Sequence, residues 1–559
     1  MFSARPEVEM RLLLVLCLQL LAVPAAGTTY FVRTDGGDPI RCTGTADAPD
    51  PGAGVGVPCA WDHPFRALEP AGPPRLAGGD TLIIGPGSYR MGYGAPGADG
   101  CDAEASFDCH LPPLPDGLDA ARPTRILGTG WDQGCPSPPE LWGAERPWRI
   151  IDLRGTDHAE VACLELTDRS DCIEFHSDPG IACERDSAPY GAWAAAGISA
   201  ADSTDVRLAD LDVHGLAWAG VHAGRLADWT VERVRIAGNG WVGWDGDLGG
   251  PSSSSGDLVF RHLEVAWNGC GEDWQLDTVL PESCWAQEAG GYGDGIGLAD
   301  SEGHWVLEDV RVHHNTSDGI DLLYLVGSSS VEARRVRSWG NAGNPFKAAG
   351  DVHLENSVLV ADCAFFEGFP HMTEGDLCRA AGNALAFSLY AGSTATVMNT
   401  TITGEGDCLM EIECRDGGCD GSESVTVRNT LFTGGPDWTQ PGDETCLYWW
   451  DDGSLPADPA DLDYSLFFEV KDDPCPGEHS VCGVDPRLAD RRLDTFDGHL
   501  TPGSPAVDAG TPAAAPATDF DGTPRDALPD IGAYELGGVI FRDGFESGGT
   551  GRWSASVGG

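Results

Sequence analysis

From about Asp205 onward one short pattern recurs, and it narrows what the chain can become. A run of alternating apolar residues is followed by a polar or Gly/Asn corner and a second short apolar stretch. The runs include Trp229–Ile236, Leu258–Val265, Trp305–Val312, Val331–Ser338, Val352–Leu359, Ala395–Ile402 and Val425–Phe432. Period-two alternation marks strands with one buried face. The runs return roughly every 21–30 residues, the range of coil-like repeats. An antiparallel sandwich would instead place hairpin turns about every 8–12 residues. A single coil cannot bury its inner face, whereas parallel stacking on its neighbours can. The expectation is an all-β chain wound as a single-stranded, right-handed parallel β-helix.

Asn239, Asn268, Asn315 and Asn341 follow the strand runs at similar offsets. Asparagine tolerates left-handed backbone and can satisfy neighbouring backbone groups in a turn. In stacked coils these four predict an internal amide ladder.

Arg11, the apolar run Leu12–Leu21 and the small residues around Ala25 have the form of a secretory signal peptide cut near Ala25. The run is shorter than the roughly 20 residues a membrane span needs, and no other segment is apolar enough. Without Cys17, 18 cysteines remain, many close in sequence, such as Cys101/Cys109, Cys163/Cys172, Cys270/Cys284, Cys408/Cys414 and Cys475/Cys482. In an exported chain such cysteines imply disulfides, although connectivity cannot be deduced. Export also disfavours a zinc site at Cys408, Cys414 and Cys419. A secreted or cell-surface location follows, and a monomer is expected.

The net charge of −54 argues against nucleic acid and anionic membranes as partners. It suits carboxylate-rich loops holding Ca²⁺. The 76 glycines and 39 prolines point to turns rather than helices.

The expected organisation is a signal peptide at 1–25, a cap with the first coils at 26–92, cysteine- and proline-rich loops on early coils at 93–190, and the β-helix core at 191–440. The last coils and a C-terminal region follow at 441–536, and a short terminal signature at 537–559. The stretches Thr29–Asp38, Pro64–Leu68 and Gly79–Tyr89 resemble the capped opening of secreted β-helix proteins. Ser504–Gly510, Asp519–Arg525 and Asp530–Glu535 resemble a choice-of-anchor tail, and Phe541–Gly548 with Trp553 resembles an export signature of proteobacterial proteins.

Chemistry concentrates in Gly293-Asp-Gly-Ile296, Asn315-Thr-Ser-Asp-Gly-Ile-Asp-Leu322, Gly343-Asn-Pro-Phe-Lys-Ala-Ala-Gly350 and Glu355-Asn-Ser357. Asp294 falls at the corner of one coil, and Asp318 and Asp321 at the corresponding corner of the next. Coils about 4.8 Å apart bring such carboxylates close enough to share a cation. Lys347 falls one coil further. A cation beside it would favour its neutral form and let it serve as a base.

These segments resemble polysaccharide lyase family 9, the calcium-dependent, pectate-lyase-like members of the pectin-lyase-like solenoids. In that family an Asp-Asp-Gly-x-Asp-Leu corner and an upstream Asp bind Ca²⁺, and the Lys of an Asn-Gly-Phe-Lys-Leu-Gly-Gly-like segment is the base. The resemblance covers about residues 290–370. It implies Asp294, Asp318 and Asp321 as calcium ligands, Lys347 as the catalytic base, and β-elimination on an acidic, uronic-acid-containing polysaccharide. Ser317 stands where the family has the first Asp of the corner pair, Pro345 replaces a Gly, and Ala348-Ala349 replace Leu-Gly.

The alternative is a non-catalytic secreted or surface β-helix that binds glycans or mediates adhesion. An enzyme would turn Lys347 toward an open groove beside the cation site; a scaffold would leave it in solvent or paired with a carboxylate. A polygalacturonase-like hydrolase would also carry Gly-His-Gly and Arg-Ile-Lys, and neither occurs. Consecutive His313 and His314 should point to opposite faces and so not share one site. Trp241, Trp244, Trp267, Trp285 and Trp339 fall at corners and could stack on sugars or cover core edges. Arg334, Arg335 and Arg337 belong to a strand with at least one solvent-facing position.

Overall fold

The computed structural model describes residues 27–286, 293–415, 418–513 and 515–536. The expected signal peptide and terminal signature lie outside these residues. Among the described residues no helix is long and apolar enough to cross a membrane.

The alternating runs form strands that pair in parallel with the next coil, giving a parallel β-helix with three faces. The first face stacks Val242–Asp245, Ile296–Gly297, Ile320–Leu322, Phe346–Ala349, Leu385–Leu389, Cys408–Cys414 and Cys446–Trp450. The second stacks Ser255–Arg261, His304–Glu308, Ser330–Arg334, Asp351–Glu355, Thr394–Met398, Ser424–Arg428 and Ala460–Asp463. The third stacks Glu264–Ala266, Arg311–His313, Arg337–Trp339, Val358–Ala361, Thr401–Gly404, Leu431–Thr433 and Leu466–Phe468. Parallel connections within one sheet take the right-handed path.

Register places like on like inside the coil. On the first face Trp244, Ile296, Ile320, Phe346, Leu385 and Met410 are successive partners. On the second, Val231, Phe260, Leu307, Ala333, Leu354, Val397 and Val427 follow one another. These columns are buried and form one continuous core. Earlier coils are built the same way, and Ala196–His214 and Ala219–Ala237 each run through three faces.

The corner between the second and third faces is turned by one left-handed residue per coil. Asp210, Arg233, His262, Asp309, Arg335, Asn356, Asn399, Asn429 and Tyr464 occupy it, with φ between 45° and 56°. Asn and Asp tolerate this region best.

The predicted amide ladder is present. The Nδ2 of Asn239 donates to Asn268 Oδ1 at 2.9 Å, Asn268 to Asn315 at 2.8 Å, and Asn315 to Asn341 at 2.9 Å. Its backbone differs from the expectation. The left-handed positions are the preceding residues Gly238, Trp267, His314 and Gly340, which swing each asparagine inward.

Nine disulfides join the described cysteines, and they correct two of the sequence-adjacent pairs. Cys163 bonds Cys135 and Cys172 bonds Cys183. Cys408 bonds Cys446 in the next coil, and Cys414 bonds Cys419. Stacking sets the Cys408–Cys446 pair, whereas Cys172–Cys183 and Cys414–Cys419 close local loops. Their sulfurs are thereby unavailable to zinc.

Residues 485–513 and 515–536 lie across the outside of the third face. Leu488, Phe496, Ile531, Ala533 and Tyr534 pack on Val358, Val360, Leu431 and Leu466. The corner asparagines hold this strap: Asn356 donates to the Thr518 carbonyl, Asn399 to Asp530 and Asn429 to Thr511. Buried Arg525 donates to Asn356 Oδ1 and Glu535.

Candidate functional site

The first face carries two outward columns. At the corner, Asp294, Asp318 and Asn344 each precede their strand's first core residue by two positions, and backbone amides link them. Asp318 N–H donates to Asp294 Oδ1 at 2.9 Å, and Asn344 N–H to Asp318 Oδ1 at 2.6 Å. Along the strands, Asp245, Gly297, Asp321 and Lys347 are successive outward partners. The expected convergence is therefore present. Asp294, Asp318 and Asp321 each offer an oxygen within 4.8 Å of the others, and all three are buried.

Asp294 Oδ2 is buried without a hydrogen-bond partner. Burial, reinforced by Asp318 and Asp321, holds the Asp294 carboxyl well above the usual carboxylate range, and burial also raises Asp321. Protein groups alone leave this cluster incompletely satisfied. Hard oxygen donors converging around an orphaned carboxylate oxygen fit a divalent cation such as Ca²⁺. Ser317 is buried at the corner, and its side chain bonds to the Asp294 carboxyl, so it supports a ligand where a further acid was expected.

Lys347 Nζ sits 2.6 Å from Asp318 Oδ2 and 3.6 Å from Asp321 Oδ2. The expected lowering of its pKa is reversed among the protein's own groups. Burial pushes it down, but Asp318, Asp321 and Asp294 together outweigh burial and raise it above the ordinary lysine value.

A cleft of about 610 Å³ opens beside the cluster, lined by Asp245, Asp294, Gly297 and Asp321 among others, with the half-exposed ring of Tyr324. Sequence reasoning missed Asp245, whose role appears only once the strands are in register. Burial pushes its carboxyl up to about 7. Gly297 was also missed. A Cβ there would lie 2.7 Å from Asp294 Oδ2, so glycine keeps the cluster close to the cleft floor.

Other candidates fall elsewhere. None of the five tryptophans lines this cleft; Trp244 is core. Arg334 pairs with Glu332 and Glu355, Arg335 with Asp309 and Glu308, and Arg337 stacks on Trp339. These arginines sit on the second and third faces. His313 and His314 do meet, Nδ1 to Nδ1 at 2.9 Å, because left-handed His314 breaks the alternation. A groove of about 730 Å³ between the second and third faces is lined by charges that include the Arg233–Asp210 and Arg335–Asp309 pairs.

No protein-family model matches the chain, and no curated protein matches it. Among solved structures it is similar to the pectate lyase Pel9A, at 14% identity and a TM-score of 0.45, over 91% of this chain and 97% of that one. It is similar to a rhamnogalacturonan lyase at 13% identity and a TM-score of 0.42, over 85% and 97%. A third is an alginate lyase from a Paenibacillus species, at 12% identity and a TM-score of 0.29, over 69% and 93%.

Proposed function

We propose that this protein is a secreted or cell-surface, calcium-dependent polysaccharide lyase that cleaves a uronic-acid-containing polymer by β-elimination. One observation carries the reading: three buried carboxylates converge, one with an unpartnered oxygen; Asp294 and Asp321 line an open cleft, and the Lys347 ammonium lies 2.6 Å from Asp318. Asp294, Asp318 and Asp321 would hold the cation. When bound, Ca²⁺ supplies positive charge that engages the uronate carboxylate and acidifies the adjacent carbon proton.

Lys347 is the base. It takes the proton from the carbon next to the carboxylate, the electron pair forms a carbon–carbon double bond as the bond to the glycosidic oxygen breaks, and that oxygen leaves with the bonding pair and takes up a proton from solvent. No water is consumed. Lys347 reaches its proton-accepting form when Asp318 and Asp321 are engaged as ligands, because their charge is what otherwise holds its proton.

The close Lys347–Asp318 pair is the observation that favours the second reading, a non-catalytic β-helix that binds glycans. Absorbance of unsaturated uronides separates the two. With pectate, alginate and glycosaminoglycan substrates, signal that grows with calcium and disappears with chelator and in Lys347→Ala is the expected result. Absence of signal on every polymer, with protein that is folded, would leave the binding scaffold.

A further inference from the structure

We infer that Trp218, Trp241 and Phe175 form a shelf, upstream of the acid cluster, on which a further stretch of the bound polysaccharide stacks. This rests on the reading that a polysaccharide occupies the cleft, and it adds where the next rings of that chain lie.

The shelf continues the corner that builds the site. Ala219 and Val242 are register partners, and the same column runs on through Asp294, Asp318 and Asn344. The residues just before these five are Trp218, Trp241, Gly293, Ser317 and Gly343. They too are stacked: Trp241 N–H donates to the Trp218 carbonyl at 2.7 Å, Ser317 to Gly293 at 3.1 Å and Gly343 to Ser317 at 2.8 Å. One corner position thus holds indoles on two coils and minimal side chains on the next three. The aromatic wall ends one coil, about 4.8 Å, short of Asp294.

The rings meet edge to face. Centroids lie 5.9 Å apart for Trp218 and Trp241, and 5.3 Å for Trp241 and Phe175. Both indoles are partly exposed while both Nε1 atoms are buried, so what each indole shows to solvent is carbon. Phe175 is 40% exposed. Aromatic carbon gathered in one exposed row marks a contact surface.

The two ends of the row identify the occupant. At the inner end the His222 ring packs on Trp218 at 4.9 Å. Its Nε2 donates to the Asp247 carbonyl at 3.0 Å and lies 3.6 Å from Asp245 Oδ2, and both acids line the cleft. A chain leaving the cleft past His222 therefore runs onto the row. At the outer end the Arg185 guanidinium sits over Phe175, 4.1 Å from the ring centroid. Its carboxylate neighbour Glu174, 3.7 Å away, already accepts a 2.8 Å bond from Arg146. The Arg185 side chain, more than a third exposed, is placed to meet the carboxylate of an acidic sugar. A uronate ring carries both features, a C–H face for the aromatic carbon and a carboxylate for the guanidinium.

Trp241 and Trp218 lie three and four coils from Lys347, about 14 and 19 Å along the axis. A disaccharide held at the acid cluster does not reach them, and an octasaccharide does. Calorimetric binding to Lys347→Ala in calcium tests this with di- and octasaccharides of galacturonate, of mannuronate and of an unsulfated glycosaminoglycan. In the series that binds, the octasaccharide should bind at least tenfold tighter than the disaccharide. Trp241→Ala and Phe175→Ala should each remove most of that gain and leave disaccharide binding unchanged. Phe175→Ala alters an exposed ring, so it keeps the test readable if Trp241→Ala does not fold. An octasaccharide that binds no tighter than the disaccharide, a gain that survives in Phe175→Ala, or no binding in any series overturns the inference. Elimination by the parent is read separately. The length effect without elimination sinks only the lyase reading, and elimination without the length effect sinks only the shelf.

Discussion

Replacing Lys347 with methionine keeps the packed stem and removes the charge. The ammonium lies 2.6 Å from Asp318 and 3.6 Å from Asp321, with all three side chains less than 10% exposed. At an effective dielectric of about 20, unit charges at 2.6 Å attract by about 6 kcal/mol. Desolvating both groups offsets much of that in the intact pair, but removing one partner leaves the burial cost of the other uncompensated. The expected loss in chelator is about 3–5 kcal/mol. Calcium should reverse much of it, since a cation at 100 times its dissociation constant stabilises by about 2.7 kcal/mol. The gain should be larger in Lys347→Met than in the parent, where the ammonium competes for the same Asp318 oxygen. Denaturant unfolding followed by tryptophan fluorescence, in chelator and in calcium, measures both quantities. An equal stability gap in the two media would refute the shared use of these carboxylates, as would a variant no less stable than the parent in chelator.

Two further outcomes follow from the same reasoning. Asn315→Ala strips the partner from Asn268 N–H and Nδ2 inside the ladder, two buried donors that each cost about 1–3 kcal/mol when unmade. Unfolding midpoints should therefore show a loss of several kcal/mol, and a loss below about 1 kcal/mol would mean the ladder closes around the gap. His214 sits between Glu272 and Glu165; burial lowers its pKa, but the two carboxylates outweigh it and raise the group to about 10. Its stabilisation is complete below about pH 6.5, where folded and unfolded states both hold the proton. It falls by up to about 1.4 kcal/mol per pH unit as pH rises toward 10. Stability-versus-pH curves for the parent and His214→Gln should converge over that window.

Much of the architecture was legible because period-two burial leaves its mark on every strand. Trp305–Val312 and Val425–Phe432 each read as one alternating run, and the structure breaks each into two short strands around a left-handed residue, Asp309 or Asn429. The convergence of Asp294 and Asp318 was legible for the same reason, since equal offsets from Ile296 and Ile320 become neighbours on stacking; Asp321, expected at the same corner, instead lies on the strand opposite Gly297. What stayed hidden depends on register between distant segments. Asp245 joins the site only because it faces Gly297, and that glycine looks like any other turn residue in a chain rich in them. Cys408 finds Cys446 for the same reason, across an intervening loop. Lysine pairing with Asp318 is a matter of ångströms, which spacing along a chain does not encode.

A stack in which each coil touches only its neighbours can come apart one layer at a time. The strap over the third face removes that freedom. Asn356, Asn399 and Asn429 lie on three successive coils and all hold the strap, so parting any two of these layers also disturbs its grip. These three coils are thereby tied to one another from outside as well as through their own strands.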